Sequence, residues 1–171
     1  MNSRREQKED MSTSETAFKK LPGIRVVDHV AIAVQQGDLE AQVRAYESIG
    51  FHEIHREDVL GSDQVREVLL RIGDGPNMIQ LLEPLSPASP VQKTIEKNGG
   101  RPGIAHIAFR VDNAQQAFDV LRANGYRLID SAPRKGSRGT TVFFVHPKST
   151  EEAPFGVLLE MVEDPATQVS A

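Results

Sequence analysis

Hydrophobic and polar positions along this chain follow a pattern that occurs twice. The run Val27-Asp28-His29-Val30-Ala31-Ile32-Ala33-Val34 is rich in β-branched residues and reads as a strand. A polar stretch follows in which Leu39, Val43, Tyr46 and Ile49 recur at helical spacing, with Asp38 as the predicted N-cap and Gly50 as the C-cap. The second occurrence begins at Ile104-Ala105-His106-Ile107-Ala108-Phe109-Arg110-Val111. Its helix starts at Asp112 or Asn113, lines one face with Ala114, Ala117, Phe118 and Leu121, and stops at Gly125.

The remainder repeats as well. Strand patterns are predicted at 65–72 and 78–82 in the first half, and at 141–146 and 157–162 in the second. The last strands end alike, Gln80-Leu81-Leu82-Glu83-Pro84 against Glu160-Met161-Val162-Glu163-Asp164-Pro165, which sets Gln80 opposite Glu160. The fold class is therefore α+β: two tandem βαβββ modules whose strands form a curled mixed sheet around a central cleft. Module one spans 24–84, and 85–100 is a linker with a short helix. In that helix Ser89-Pro90-Val91-Gln92 has the capping-box pattern with proline at the first helical position, and Gly99-Gly100 ends it. Module two spans 101–165, so that 21–165 forms one domain. Residues 1–20 mix charges of both signs with Phe18 as the only large hydrophobe apart from methionine, and read as a disordered tail; 166–171 read as a second, short tail.

Composition removes several classes of function. The 171 residues carry 20 basic and 24 acidic side chains, a net charge of −4 that gives phosphate-rich polymers no basic face to meet, so no nucleic-acid partner is expected. There is no cysteine, which excludes disulfides, thiolate metal sites and a cysteine nucleophile. Apolar runs fall far short of the ~20 residues a membrane-spanning helix needs, and no membrane partner is expected. The N-terminal segment lacks the apolar centre of a secretion signal, and its acidic residues argue against a mitochondrial transit peptide; a cytoplasmic location is the default.

Within the repeat, one polar residue interrupts the inward face of each first strand and one interrupts each last strand. Side chains alternate along a strand, so His29 shares its face with Ala31 and Ala33, and His106 with Ala108 and Arg110. If the modules close about a pseudo-twofold axis, His29, Gln80, His106 and Glu160 converge. Two imidazoles, an amide oxygen and a carboxylate suit an open octahedral site for Co²⁺, Mn²⁺, Ni²⁺, Zn²⁺ or Mg²⁺, the open positions making the metal a Lewis acid. The other histidines lack this duplication. His52-Glu53-Ile54-His55 has its histidines three apart instead of the four of a zinc-protease helix, and reads as a surface strand. His146 stands before Pro147 and Lys148 as a turn residue.

On these residues the chain resembles the vicinal-oxygen-chelate superfamily of glyoxalases, bleomycin-resistance proteins and dioxygenases, and within it the methylmalonyl-CoA epimerases. The resemblance runs from about Val26 to Glu163. It rests on Asp28-His29-Val30-Ala31-Ile32-Ala33, Val65-Arg66-Glu67, Ile79-Gln80-Leu81-Leu82-Glu83-Pro84-Leu85, His106-Ile107-Ala108, His146-Pro147-Lys148-Ser149 and Gly156-Val157-Leu158-Leu159-Glu160. Two features depart from the family: Ala105 stands where many members have a second histidine, and the turn at 149–155 is longer.

The resemblance implies paired βαβββ modules, a divalent metal (Co²⁺ first) on His29, Gln80, His106 and Glu160, catalytic carboxylates at Glu67 and Glu160, and a homodimer. It further implies epimerisation of methylmalonyl-CoA: a proton leaves C2 from one face and returns to the other, one carboxylate abstracting while its protonated partner delivers, through a metal-stabilised enediolate. Val65 and Leu69 share Glu67's face, which supports an inward side chain. The coenzyme A diphosphate calls for cations near the mouth, for which Arg134, Lys135, Arg138 and Lys148 are the candidates. Competing readings are a glyoxalase-type lyase on a thiol adduct, which would not need Glu67, and a non-catalytic drug-sequestering module, which would not need four ligands. An extradiol dioxygenase would ordinarily use two histidines and a glutamate without Gln80.

Overall fold

A computed structural model describes residues 19–150 and 154–167; the expected N-terminal tail over 1–18, the part of the long turn at 151–153 and the end of the C-terminal tail at 168–171 lie outside the described residues. The elements run β1 (Ile24–Ala33), α1 (Leu39–Glu47), β2 (Phe51–Val59), β3 (Val65–Ile72), β4 (Met78–Pro84), α2 (Pro90–Lys97), β5 (Gly103–Val111), α3 (Ala114–Ala123), β6 (Arg134–Lys135), β7 (Thr141–Val145) and β8 (Leu158–Glu163). All the strands join one curled mixed sheet in the order β2-β3-β4-β1-β5-β8-β7-β6. At its centre β1 and β5 pair antiparallel. Each then pairs in parallel with the last strand of its own unit, β4 or β8. The two halves differ at their edges, where the nine-residue β2 has only the two-residue β6 as its counterpart.

Local chemistry explains the helix boundaries. At α2 the Ser89 hydroxyl accepts from the Val91 amide at 3.2 Å and Pro90 occupies the first turn, where its missing N–H leaves nothing unpaired. The reciprocal half of the capping box is not made, because Gln92 donates to Glu96 instead. At α3 the cap is Asn113, whose side chain accepts from the Gln116 amide at 2.7 Å, while Asp112 pairs with Arg25. Asp38 holds the N-cap position of α1 but makes no side-chain cap bond. Gly50 and Gly125 follow their helices at φ of 102° and 79°, a left-handed conformation costly for any residue with a Cβ.

Helices α1 and α3 cover one face of the sheet. Leu39 and Val43 pack on Val34, Val68, Leu70 and Leu81, and Phe118 meets Phe143 edge to face with ring centres 5.2 Å apart. Each such fully buried side chain contributes roughly 1.5–3 kcal/mol. The other face is closed at one end by α2, whose Val91 and Ile95 rest on Ala31, Ala33, Val65 and Leu82. Elsewhere that face opens into a cleft.

Candidate metal centre and catalytic cleft

The sheet register builds the site around two alanines. Ala31 lies between Gln80 on β4 and His106 on β5, and Ala108 between His29 on β1 and Glu160 on β8. Both alanines are fully buried, and their small size lets three of the flanking side chains, His29, His106 and Glu160, meet over them. His29 Nε2, His106 Nε2 and Glu160 Oε2 stand 3.1 Å from one another in every pairing. All four residues are buried, Gln80 included.

Electrostatics couple the members of this trio to one another. Burial opposes a charge on His29, but bonds to Asp28 and Glu160 outweigh it and push the imidazole up to about 9. Burial likewise raises Glu160, yet the contacts with His106 and His29 prevail and hold its carboxyl well below the usual carboxylate range. The same three atoms converge on one point as they would around a metal, which would take the place of the proton that His29 Nε2 shares with Glu160. Gln80 supplies the test of fit. Its Oε1 is buried with no hydrogen-bond partner, an arrangement that costs about 1–3 kcal/mol unless a further group satisfies it. A divalent cation taking that amide oxygen together with the trio would do so.

The other end of the same amide reaches Glu67. Gln80 Nε2 donates to Glu67 Oε2 at 2.8 Å, and Glu67 is 3% exposed. Burial raises the proton affinity of Glu67; the Ser137 hydroxyl lowers it and Glu57 raises it further. Its neighbours Val68 and Leu70 point away, into the α1 core. Glu67 and the metal-candidate residues line one cleft of about 360 Å³ with apolar walls from Val65, Leu82, Val142 and Phe144. That volume lies within the ~300–1,000 Å³ of small-molecule sites.

The basic residues of the β6 region are placed differently from one another. Arg134 binds Asp63 at 3.1 and 3.2 Å and Asp130 at 3.1 Å, its guanidinium 5.5 Å over the Phe144 ring. Arg138, held at a φ of 54°, turns inward to Asp28 at 3.3 Å and Asp164 at 3.4 Å. Both line the cleft with carboxylates already on them. Lys135 and Lys148 are exposed.

Two further residues belong to the site although the sequence pattern did not single them out. Asp28 is fully buried and accepts from His29 Nδ1 at 2.9 Å and from Arg110 Nε at 2.8 Å. Strict alternation would send it to the opposite face from His29, but the register of β1 shifts between Val27 and His29, and such a bulge suspends alternation. His55 is the second. His52, Glu53 and Ile54 are exposed, as a surface strand requires, yet a register shift between Glu53 and His55 leaves His55 half-buried, 3.8 Å from Glu67.

Comparison with known proteins adds to this geometry. The sequence pattern of the family described as Glyoxalase/Bleomycin resistance protein/Dioxygenase superfamily matches residues 28–144. The chain is 32% identical over 146 residues to the mitochondrial methylmalonyl-CoA epimerase of Dictyostelium discoideum, covering 82% of this chain and 80% of that protein. It is 36% identical over 124 residues to the ethylmalonyl-CoA/methylmalonyl-CoA epimerase of Cereibacter sphaeroides, covering 71% and 88%. Among solved structures, a variant of Streptomyces coelicolor methylmalonyl-CoA epimerase in complex with 2-nitronate-propionyl-CoA superposes with a TM-score of 0.73 at 35% identity, covering 84% of this chain and 96% of that one.

Proposed function

The chain belongs to the glyoxalase/bleomycin resistance protein/dioxygenase superfamily, and from that membership, its epimerase relatives and the geometry of its cleft we propose that it is a metal-dependent isomerase interconverting (2R)- and (2S)-methylmalonyl-CoA. One observation carries the reading: a single side chain, Gln80, which lines the same cleft as the metal-candidate trio, has its oxygen buried without a partner while its amide hydrogen goes to Glu67. A thiol-adduct lyase gives no reason for a buried carboxylate in that position.

Held by His29, Gln80, His106 and Glu160, a divalent cation, Co²⁺ in this proposal, would supply Lewis-acid polarisation of the thioester and carboxylate oxygens. Glu67 takes the proton from C2 on one face of the substrate. Burial raises its proton affinity above that of a solvated carboxylate, which favours it as a base, and the Gln80 amide fixes one of its oxygens. Glu160 is the second carboxylate of the proposal, supported by its strand β8 lying across β4, β1 and β5 from the β3 of Glu67. Its two imidazole contacts hold its proton affinity down, so its first duty is as a ligand and its basicity depends on how far those contacts relax. The apolar walls keep bulk water from the exchanging proton.

The exposed ammonium groups of Lys135 and Lys148 are free to meet the coenzyme A phosphates, whereas Arg134 and Arg138 would first have to leave their carboxylates. A homodimer is part of the same proposal. Among the described residues no helix is long and apolar enough to cross a membrane.

The test is deuterium incorporation at C2 of methylmalonyl-CoA in heavy water, following both epimers by NMR, with chelator-treated protein and protein restored with Co²⁺. Exchange with racemisation that requires the metal is the expected result. No exchange with any divalent metal would overturn the proposal.

A further inference from the structure

Outside the four-residue cluster, β2 brings a second set of donors to Glu67. Glu57 is the cross-strand partner of Glu67, and the register shift after Glu53 turns His55 to the same side. Carboxylates placed directly opposite across a pair of strands repel, and among the described residues no lysine or arginine pairs with either. His55 Nε2 lies 3.5 Å from Glu57 Oε2 and 3.8 Å from Glu67 Oε1. Both separations are too long for hydrogen bonds, and His55 Nε2 and Glu67 Oε1 are buried without a partner. A carboxylate oxygen on a residue 3% exposed, aimed at an imidazole nitrogen that does not reach it, leaves room for something between them.

The spacing identifies what fits. Ligands held ~2.0–2.1 Å from a tetrahedral zinc stand roughly 3.3–3.4 Å from one another, close to the distances around His55. One imidazole and two carboxylates form a donor set of the zinc type with a fourth position left for water. Access comes from solvent, because the side chains of His55 and Glu57 are 27% and 37% exposed.

We propose that His55, Glu57 and Glu67 form a second cation site, of the Zn²⁺ class and separate from His29, Gln80, His106 and Glu160, and that filling it inhibits the enzyme. Occupancy ties the unpartnered oxygen of Glu67 to a cation, and with its other oxygen on Gln80 neither is left to take the substrate's proton. That inhibitory consequence rests on the proton-transfer role proposed above for Glu67; the site itself does not.

Equilibrium dialysis of the metal-free full chain against Zn²⁺, followed by elemental analysis, decides the matter. The parent is expected to retain two equivalents. His55→Ala and Glu57→Gln should each retain one, His106→Ala should also retain one, and His52→Ala, altered at the exposed neighbour, should keep two. Retention of two equivalents by both His55→Ala and Glu57→Gln, or of only one by the parent, overturns the site. For the inhibitory effect, Zn²⁺ added to Co²⁺-loaded parent should lower epimerisation about a hundredfold, the scale of a lost general base, with little change in Glu57→Gln relative to its own zinc-free rate. Equal loss in parent and variant would mean displacement of cobalt from the first cluster and would overturn the inhibition. A parent inactive with every metal would sink the epimerase reading while leaving the dialysis result intact.

Discussion

Asp28 accepts a hydrogen bond from His29 Nδ1 at 2.9 Å, and that bond decides which nitrogen of His29 faces the cluster. With Nδ1 committed as the donor, Nε2 is the nitrogen that faces His106 and Glu160 and the one that gives up its proton when a metal binds. Asp28 keeps its charge in a fully buried position because burial, which would neutralise it, is outweighed by His29, Arg110 and Arg138. Partners of this kind orient a ligand and raise its basicity, and their loss costs roughly 10–100-fold in metal affinity. Asp28→Asn is expected to weaken Co²⁺ binding by that factor, read by dialysis against a competing chelator. Unchanged affinity would show that His29 is oriented without the charge of Asp28.

Glu67→Gln separates metal binding from proton transfer. The new amide has nearly the volume of the carboxylate, so the fold and the four ligand candidates should stay in place. Epimerisation should fall about 10²–10⁴-fold, the usual contribution of a positioned base, while bound Co²⁺ is retained. His106→Ala should do the reverse and lose the metal first. Near-normal turnover in Glu67→Gln would remove Glu67 from the chemistry. The informative readout is C2 deuterium exchange from each epimer separately, since the loss of one of two bases should slow exchange from one epimer more than from the other.

How much of this was legible in the sequence depends on whether a residue obeyed a period. His29, Gln80, His106 and Glu160 could be found because each recurs at the same place in two units, and a repeated polar residue on an apolar face stands out. The strand patterns were readable for the same reason. Asp28 and His55 were not, since both sit at register shifts where alternation fails, and a bulge leaves no mark in hydropathy. At Ala31 and Ala33 the face shared with His29 is covered by Val91 and Ile95 of α2, a tertiary contact that no local pattern reports. The guanidiniums of Arg134 and Arg138 could be noticed as a basic run, but apart from Asp130 their carboxylates come from distant segments at Asp63, Asp28 and Asp164.

Ala108 offers a packing test of the site's floor. It lies between His29 and Glu160, fully buried against Val142 and Val162, so that a larger side chain has nowhere to go. Ala108→Val should destabilise the fold by about 1–3 kcal/mol through overpacking, seen as a lower denaturant midpoint with little change in slope. It should also spread His29 from Glu160 and weaken metal retention, an effect that a purely global loss of stability would not produce in protein that remains folded. Full metal retention would show that the two side chains do not depend on the small residue between them.

His146 sets a pH dependence away from the metal centre. Its Nδ1 accepts from the Lys148 amide at 3.0 Å, which requires that nitrogen to be unprotonated. Burial and the nearby charges of Arg127 and Lys148 hold the ring below its ordinary value of 6.5. The folded protein therefore binds this proton less tightly than the unfolded chain does, and stability rises with pH wherever the unfolded state carries more protons. The contribution is fully present above 6.5 and is lost as pH falls through the lower folded value. Two measurements check it. An NMR titration should place the His146 midpoint below 6.5, and thermal melts from pH 8 to pH 5 should fall more steeply with acid in the parent than in His146→Gln, where the titrating group is gone. A midpoint at or above 6.5, or parallel melting curves, would mean that the turn tolerates the charged ring and that its bond to Lys148 gives no net stabilisation.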